Sequence, residues 1–290
     1  METDRVAWLS GAFWPDRLGR SIALAGLCSA IALNSTALAS TLVVGARLVD
    51  GTGAPARAAS VRIDGDRIVA VGRLKPTAAD TIVEAHGLVL APGFIDAHSH
   101  HDRGDFAERA MSPLLAQGVT TVVVGQDGYG SGPVAQVSAR FTAKPASVNL
   151  AAYSGHGHLR DQVLGQDYKR AATPAEVAQM QALLDADMAA GSLGLSTGLE
   201  YDPGIYSTPG EVLALARTAA ARGGRYISHM RNEDVQFDAA LDELLEIGRQ
   251  TGMPVQISHL KLGVVDRWGQ APQVLARLDK ARADGIKVTA

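Results

Sequence analysis

The chain has 290 residues, of which 47% are hydrophobic and 20% charged, and a formal net charge of −3. That apolar content supports one large core, or a large domain with a small one, and excludes a disordered chain. The charges form no block of one sign, which argues against a nucleic-acid footprint or a polybasic membrane patch and leaves small molecules as the expected partners.

Residues 1–39 differ from the rest. Arg17 and Arg20 precede an apolar run from Ser21 to Leu33, and Ala37-Leu38-Ala39 follows. This is the pattern of a secretory signal peptide, with cleavage expected near Ala39 and a periplasmic mature protein. The run is too short to span a bilayer comfortably, so no stable membrane anchor is expected. Cys28 is the only cysteine, so the cleaved chain would hold neither an intrachain disulfide nor a thiolate metal ligand.

From Thr41 to Leu90, short β-branched runs (Thr41–Val44, Val61–Ile63, Arg67–Val71, Thr81–Val83) alternate with Asp50-Gly51, Asp64-Gly65 and Gly72. Short strands and Asp-Gly turns predict a small β-domain, a sandwich spanning 40–91, with its boundary near Ala91-Pro92-Gly93.

Residues 92–290 alternate strands with helices. Phe94–His98, Val119–Gly125, Val148–Tyr153, Leu193–Thr197, Arg225–His229, Val255–His259 and Ile286–Ala290 read as buried strands. Thr173-Pro174-Ala175-Glu176 and Thr208-Pro209-Gly210-Glu211 both read as capping boxes that open helices. Val212, Leu215 and Ala219 share one helix face, as do Phe237, Leu241, Leu244 and Leu245. This is α/β repetition, and it fits a TIM-like (β/α)8 barrel better than an open doubly wound sheet. The seventh strand reaches the last residue, so the barrel is expected to be incomplete at its C-terminus.

Histidines recur at strand ends. His98 and His100 are two apart and share a face of the first strand. Ile227-Ser228-His229 and Ile257-Ser258-His259 repeat one tripeptide on successive strands, at the rim where barrel active sites gather. Four imidazoles in such places point to one or two divalent metals, zinc being a common choice. His86 reads as a surface residue and His101 as pointing away from the cluster. The run Gly155-His156-Gly157-His158 follows the third strand, where a substrate contact and plain loop structure are both open.

The stretch Gly93-Phe94-Ile95-Asp96-Ala97-His98-Ser99-His100 resembles the first-strand metal motif of the amidohydrolase superfamily. Gly118-Val119-Thr120-Thr121, Gly194-Leu195-Ser196-Thr197-Gly198-Leu199, His229-Met230-Arg231 and Ile257-Ser258-His259-Leu260-Lys261 narrow the resemblance to its N-acyl-D-amino-acid deacylase group. The resemblance implies zinc-dependent hydrolysis of an N-acyl-D-amino acid to a carboxylate and a D-amino acid. His98 and His100 would hold one metal and His229 and His259 the other. Members of that group carry a Cys ligand where this chain reads Gly125-Gln126-Asp127-Gly128, so a carboxylate is expected to bridge the metals instead. Glu200, just past the fourth strand, is the first candidate and Asp127 the second; Glu200 could also be a surface salt-bridge partner. Tyr201, Arg231 and Lys261 are expected to bind the substrate, although either cation could pair with Glu233 or Asp234. The superfamily's acid/base Asp belongs to an eighth strand, expected beyond Ala290, so no catalytic residue is assigned within the chain. Another amidohydrolase, a dipeptidase or cyclic-amide hydrolase, and a non-catalytic metal-binding remnant are the alternatives.

Overall fold

The computed structural model describes residues 40–104 and 106–290; the expected signal peptide lies outside them. The described residues divide into two compact units, 40–90 and Ala91–Ala290. Among the described residues no helix is long and apolar enough to cross a membrane.

The first unit is built from β1 (Ser40–Val44), β2 (Arg47–Leu48), β3 (Arg57–Ala58), β4 (Ser60–Asp64), β5 (Arg67–Gly72), β6 (Asp80–Glu84) and β7 (Val89–Leu90). One sheet has the order β5-β4-β1-β6, in which β1 pairs antiparallel with β4 and parallel with β6. The other has the order β3-β2-β7. The Asp64-Gly65 turn joins β4 to β5, with Gly65 at φ +56°, a left-handed conformation that glycine adopts without strain.

The second unit alternates β8 (Phe94–Asp96), α1 (Ser112–Leu115), β9 (Val119–Val124), α2 (Val134–Ala143), β10 (Asn149–Ala152) and β11 (Ser154–Gly155). It continues through α3 (His156–Leu164), α4 (Pro174–Ala189), β12 (Gly194–Gly198), α5 (Pro209–Ala221), β13 (Arg225–His229), α6 (Phe237–Thr251), β14 (Val255–Ile257), α7 (Ala271–Ala283) and β15 (Val288–Thr289). All its strand pairs are parallel, in the orders β10-β9-β8 and β11-β12-β13-β14-β15. Only Tyr153 separates β10 from β11, so one extended segment passes from the first sheet to the second and strand neighbours follow chain order throughout. That order arises when each helix returns the chain to the next strand position, the behaviour of β/α units.

The helices pack as their periodicity predicts. Val212, Leu215 and Ala219 of α5 and Phe237, Leu241, Leu244 and Leu245 of α6 join one core with Leu195, Tyr226, Val255 and Ile257 from the strands. Each buried leucine or phenylalanine there contributes roughly 1.5–3 kcal/mol. Thr173 forms a full capping box with Glu176. The second expected box is only half formed: Thr208 accepts from the Glu211 amide, but the Glu211 carboxylate is taken by His156 and Arg160 instead of returning to the cap.

The run from Gly155 to His158 is not a loop. It opens α3, and His156 is fully buried, its Nε2 2.8 Å from Glu211 Oε1. Arg160, one turn on and equally buried, donates to both Glu211 oxygens at 2.6 and 2.7 Å. These three residues tie α3 to α5 and account for His156 without a substrate.

Candidate metal centre

His98 and His100 follow β8. The Ser99 amide still donates to Val123 O at 3.0 Å, so the chain stays alongside β9 and both rings emerge together, 5.2 Å apart between centroids. His101, one residue out of phase, is exposed and turns to Ser99 Oγ at 2.7 Å. His86 is likewise exposed, beside Glu84.

His229 ends β13 and His259 lies just past β14. The two tripeptides are offset by one residue, because Ser228 pairs with Ile257. Regular pairing stops there, and the bend at Ser258-His259 brings the second imidazole round, placing its Nε2 2.9 Å from His229 Nδ1. His259 also meets His98 edge-on at 5.4 Å between centroids. All four expected histidines therefore converge.

Asp127 stands among them. Its Oδ2 is 3.1 Å from His100 Nε2 and 3.4 Å from His98 Nε2, and its Oδ1 is 3.8 Å from His259 Nε2. The turn after β9 delivers it there: Gly125, Asp127 and Gly128 have φ of 74°, 56° and 74°. Asp is one of the few residues besides glycine that tolerate this region. Gln126, fully buried, donates to Ala97 O and Val123 O at 3.0 and 3.1 Å, and Gly128 N donates to Ser196 Oγ at 3.2 Å. The turn is thus anchored to the segment that carries His98 and to β12.

Glu200 occupies a more peripheral place. Its Oε2 is 2.9 Å from His229 Nε2, and His229 is the one histidine of the four that it contacts. Tyr201 directs its hydroxyl to His229 Nδ1 at 2.7 Å. Burial raises the Tyr201 pKa, with Asp127 and Glu200 adding to it, so the phenol stays protonated.

Glu233, which the sequence suggested only as a partner for a cation, is 4% exposed and belongs to the site. It lies 2.8 Å from His259 Nδ1 and 3.5 Å from His229 Nε2, and it binds Lys261. The hydrogen bond at His259 Nδ1 comes from Lys261 Nζ at 3.1 Å, whereas Glu233 Oε1, close to the same nitrogen, has no hydrogen-bond partner. Lys261 is therefore near the cluster but already paired. Arg231 departs from its expected role: it forms a two-pronged bond to Glu243 at 2.8 and 2.9 Å and donates to Ser207 O. The cavity it lines, about 940 Å³, contains none of the four histidines. Satisfying a half-buried guanidinium needs several acceptors, and α6 supplies a carboxylate twelve residues on.

The donor chemistry fits a divalent metal. His98, Asp127 and His259 offer ligand atoms within 4.8 Å of one another, and so do His229, Glu233 and His259. His98 Nδ1 and Asp127 Oδ1 are buried without a hydrogen-bond partner, a cost that a coordinated cation relieves for the carboxylate. Burial lowers the pKa of both His100 and His229, which favours the neutral imidazole that binds metal. Burial opposes ionisation of Asp127, but the His98 hydrogen bond and the neighbouring imidazoles outweigh it and hold the carboxyl below its usual range.

The N-acyl-D-glutamate deacylase of Alcaligenes xylosoxydans xylosoxydans is 36% identical over 269 residues, which cover 85% of this chain and 55% of the relative. The D-aminoacylase of the same organism is 40% identical over 265 residues, covering 83% and 54%. Among solved structures, the N-acyl-D-glutamate deacylase of Bordetella bronchiseptica, complexed with zinc and a phosphonate inhibitor, superposes with a TM-score of 0.80 at 37% identity, covering 86% of this chain and 57% of that one. The chain spans about half the length of the curated relatives it matches. Residues 81–290 match the model of the amidohydrolase family. With that match and the converging histidines together, the chain belongs to the amidohydrolase family.

Proposed function

We propose that this chain carries the metal-binding residues of a zinc-dependent N-acyl-D-amino-acid deacylase, which hydrolyses the amide of an N-acyl-D-amino acid to a carboxylate and a D-amino acid. The observation that carries this reading is the Asp127 carboxylate set among His98, His100 and His259, with His229 against His259. His98 and His100 would hold one metal and His229 and His259 the other, with the Asp127 carboxylate as a ligand shared by the cluster. Asp127 is preferred to Glu200 because it reaches three of the histidines and Glu200 reaches one. The likeness to deacylases of known substrate supports the D-amino-acid assignment.

Zinc bound here supplies the Lewis acidity that polarises an amide carbonyl and activates water. The chain's own residues prepare that chemistry. Asp127 and the imidazoles set the spacing of the ligand atoms, Glu233 restrains Lys261 beside His259, and Tyr201 directs its protonated hydroxyl at His229. In the same reading the strands β8 to β15 form the wall of a TIM-like barrel and β1 to β7 a small sandwich. Export to the periplasm is proposed from Arg17, Arg20 and the apolar run Ser21 to Leu33.

Calorimetric titration of the zinc-loaded protein with N-acetyl-D- and N-acetyl-L-amino acids tests this reading. Tighter binding of the D series is expected. Preference for the L series would remove the deacylase assignment, and failure to bind zinc would remove the metal centre.

A further inference from the structure

An N-acyl amino acid carries a carboxylate, and the two cations expected to meet it are engaged: Arg231 with Glu243 and Lys261 with Glu233. A third cation stands at the metal centre. Arg103, three residues past His100, is exposed and holds its guanidinium over the Tyr129 ring, 5.4 Å from the centroid. Among the described residues no carboxylate forms an ion pair with it. Tyr129 in turn lies 6.3 Å from Tyr201, whose ring lies 4.2 Å from that of His229. The positive charge of Arg103 is felt at His100, Tyr129 and Tyr201 alike.

Arg103 and His100 line one cavity of about 460 Å³, together with Asp102, Gln126, Tyr129 and Arg140. The cavity therefore has a metal-ligand candidate and the Arg103 guanidinium in its lining, while the Arg140 guanidinium is bound to Ser131 O and Oγ. Asp102, which also lines the cavity, is 5% exposed; Arg103 stabilises its carboxylate form at a distance without forming an ion pair with it. A guanidinium lying on an aromatic face keeps its N–H edge free for a two-pronged bond to a carboxylate.

We infer that this cavity is an anion subsite in which Arg103, held on Tyr129, receives a carboxylate of the substrate. The inference rests on the deacylase reading. An α-carboxylate and an acidic side chain present the same chemistry to Arg103, and the choice of ligands separates them.

The test is calorimetry on the zinc-loaded full chain, wild type, Arg103→Gln and Arg103→Lys, with N-acetyl-D-leucine, N-acetyl-D-glutamate and N-acetyl-D-leucinamide. Loss of the guanidinium should weaken N-acetyl-D-leucine and N-acetyl-D-glutamate by about tenfold or more and leave the carboxamide unchanged, with Arg103→Lys between. Weakening confined to N-acetyl-D-glutamate assigns the subsite to the side-chain carboxylate. Unchanged affinity for all three ligands, or equal weakening of all three, overturns the subsite while the deacylase reading stands. If the wild type binds none of them, both fall.

Discussion

Asp127 Oδ2 stands 3.1 Å from His100 Nε2 across 27 residues of sequence. Asp127→Asn keeps the shape of the side chain and removes the charge that a bridging ligand needs. Zinc affinity, measured by competition with a chromogenic chelator, should fall by more than the roughly 10–100-fold that loss of a supporting residue costs. Glu200→Gln should cost less. A larger loss from Glu200→Gln than from Asp127→Asn would move the bridge to Glu200.

Glu233 acts through His259 and Lys261. Replacing it with Gln removes the negative charge beside His259 and the ionic partner of Lys261, and zinc affinity is expected to drop roughly 10–100-fold, with Glu233→Asp recovering part of the loss. Far-ultraviolet circular dichroism of the metal-free protein should be unchanged. Wild-type zinc affinity in Glu233→Gln would show that His259 needs no such charge beside it.

The turn that presents Asp127 cannot accept a side chain at Gly125. Its φ is +74°, and a Cβ there would come within 2.3 Å of Tyr153 O. Gly125→Ala should destabilise the protein by about 2 kcal/mol or more and weaken zinc binding together with it. Gly252, at φ +69° with nothing within 4 Å of a Cβ, provides the comparison: alanine there should cost only about 1–2 kcal/mol and leave zinc binding intact. Urea unfolding and zinc titration of both variants decide the matter.

Burial pushes the His156 pKa below its usual value despite the pull of Glu211. The neutral ring donates from Nε2 to Glu211, while a proton on Nδ1 would be a buried donor without an acceptor. A depressed folded-state pKa means that the unfolded chain binds the extra proton first. The stabilisation is therefore fully present above the unfolded value of about 6.5 and is lost as pH falls through the folded value. Urea midpoints of the metal-free protein should decline from pH 7.5 to pH 5, and His156→Gln should flatten that decline. An unaltered slope in the variant would place the pH dependence elsewhere.

Much of the framework was legible because it is periodic. The two-residue spacing of His98 and His100 puts both on one face of a strand, and the repeated Ile-Ser-His marks two neighbouring strands before any fold is known. The faces of α5 and α6 follow from 3.6-residue spacing, and the Thr173–Glu176 box from local hydrogen bonding. These features depend on residues a few positions apart, where backbone geometry alone sets the relation.

The remainder depended on which distant groups meet. Nothing local distinguishes Asp127 from Glu200 as the carboxylate nearest most of the histidines; a left-handed turn, anchored by Gln126 to Ala97 and Val123, decides it. Arg231 and Lys261 share the same position relative to their histidines, yet one turns to Glu243 on α6 and the other to Glu233 beside His259. His156 looked available in a glycine-rich stretch and is sealed between α3 and α5. The sequence alone determined the β/α repeat and the histidine set, because strand and helix periods act over short range. Only the tertiary structure decided which carboxylate lies among the histidines and which cations find an acidic partner, because burial makes each charge seek a partner and the partner is chosen by packing.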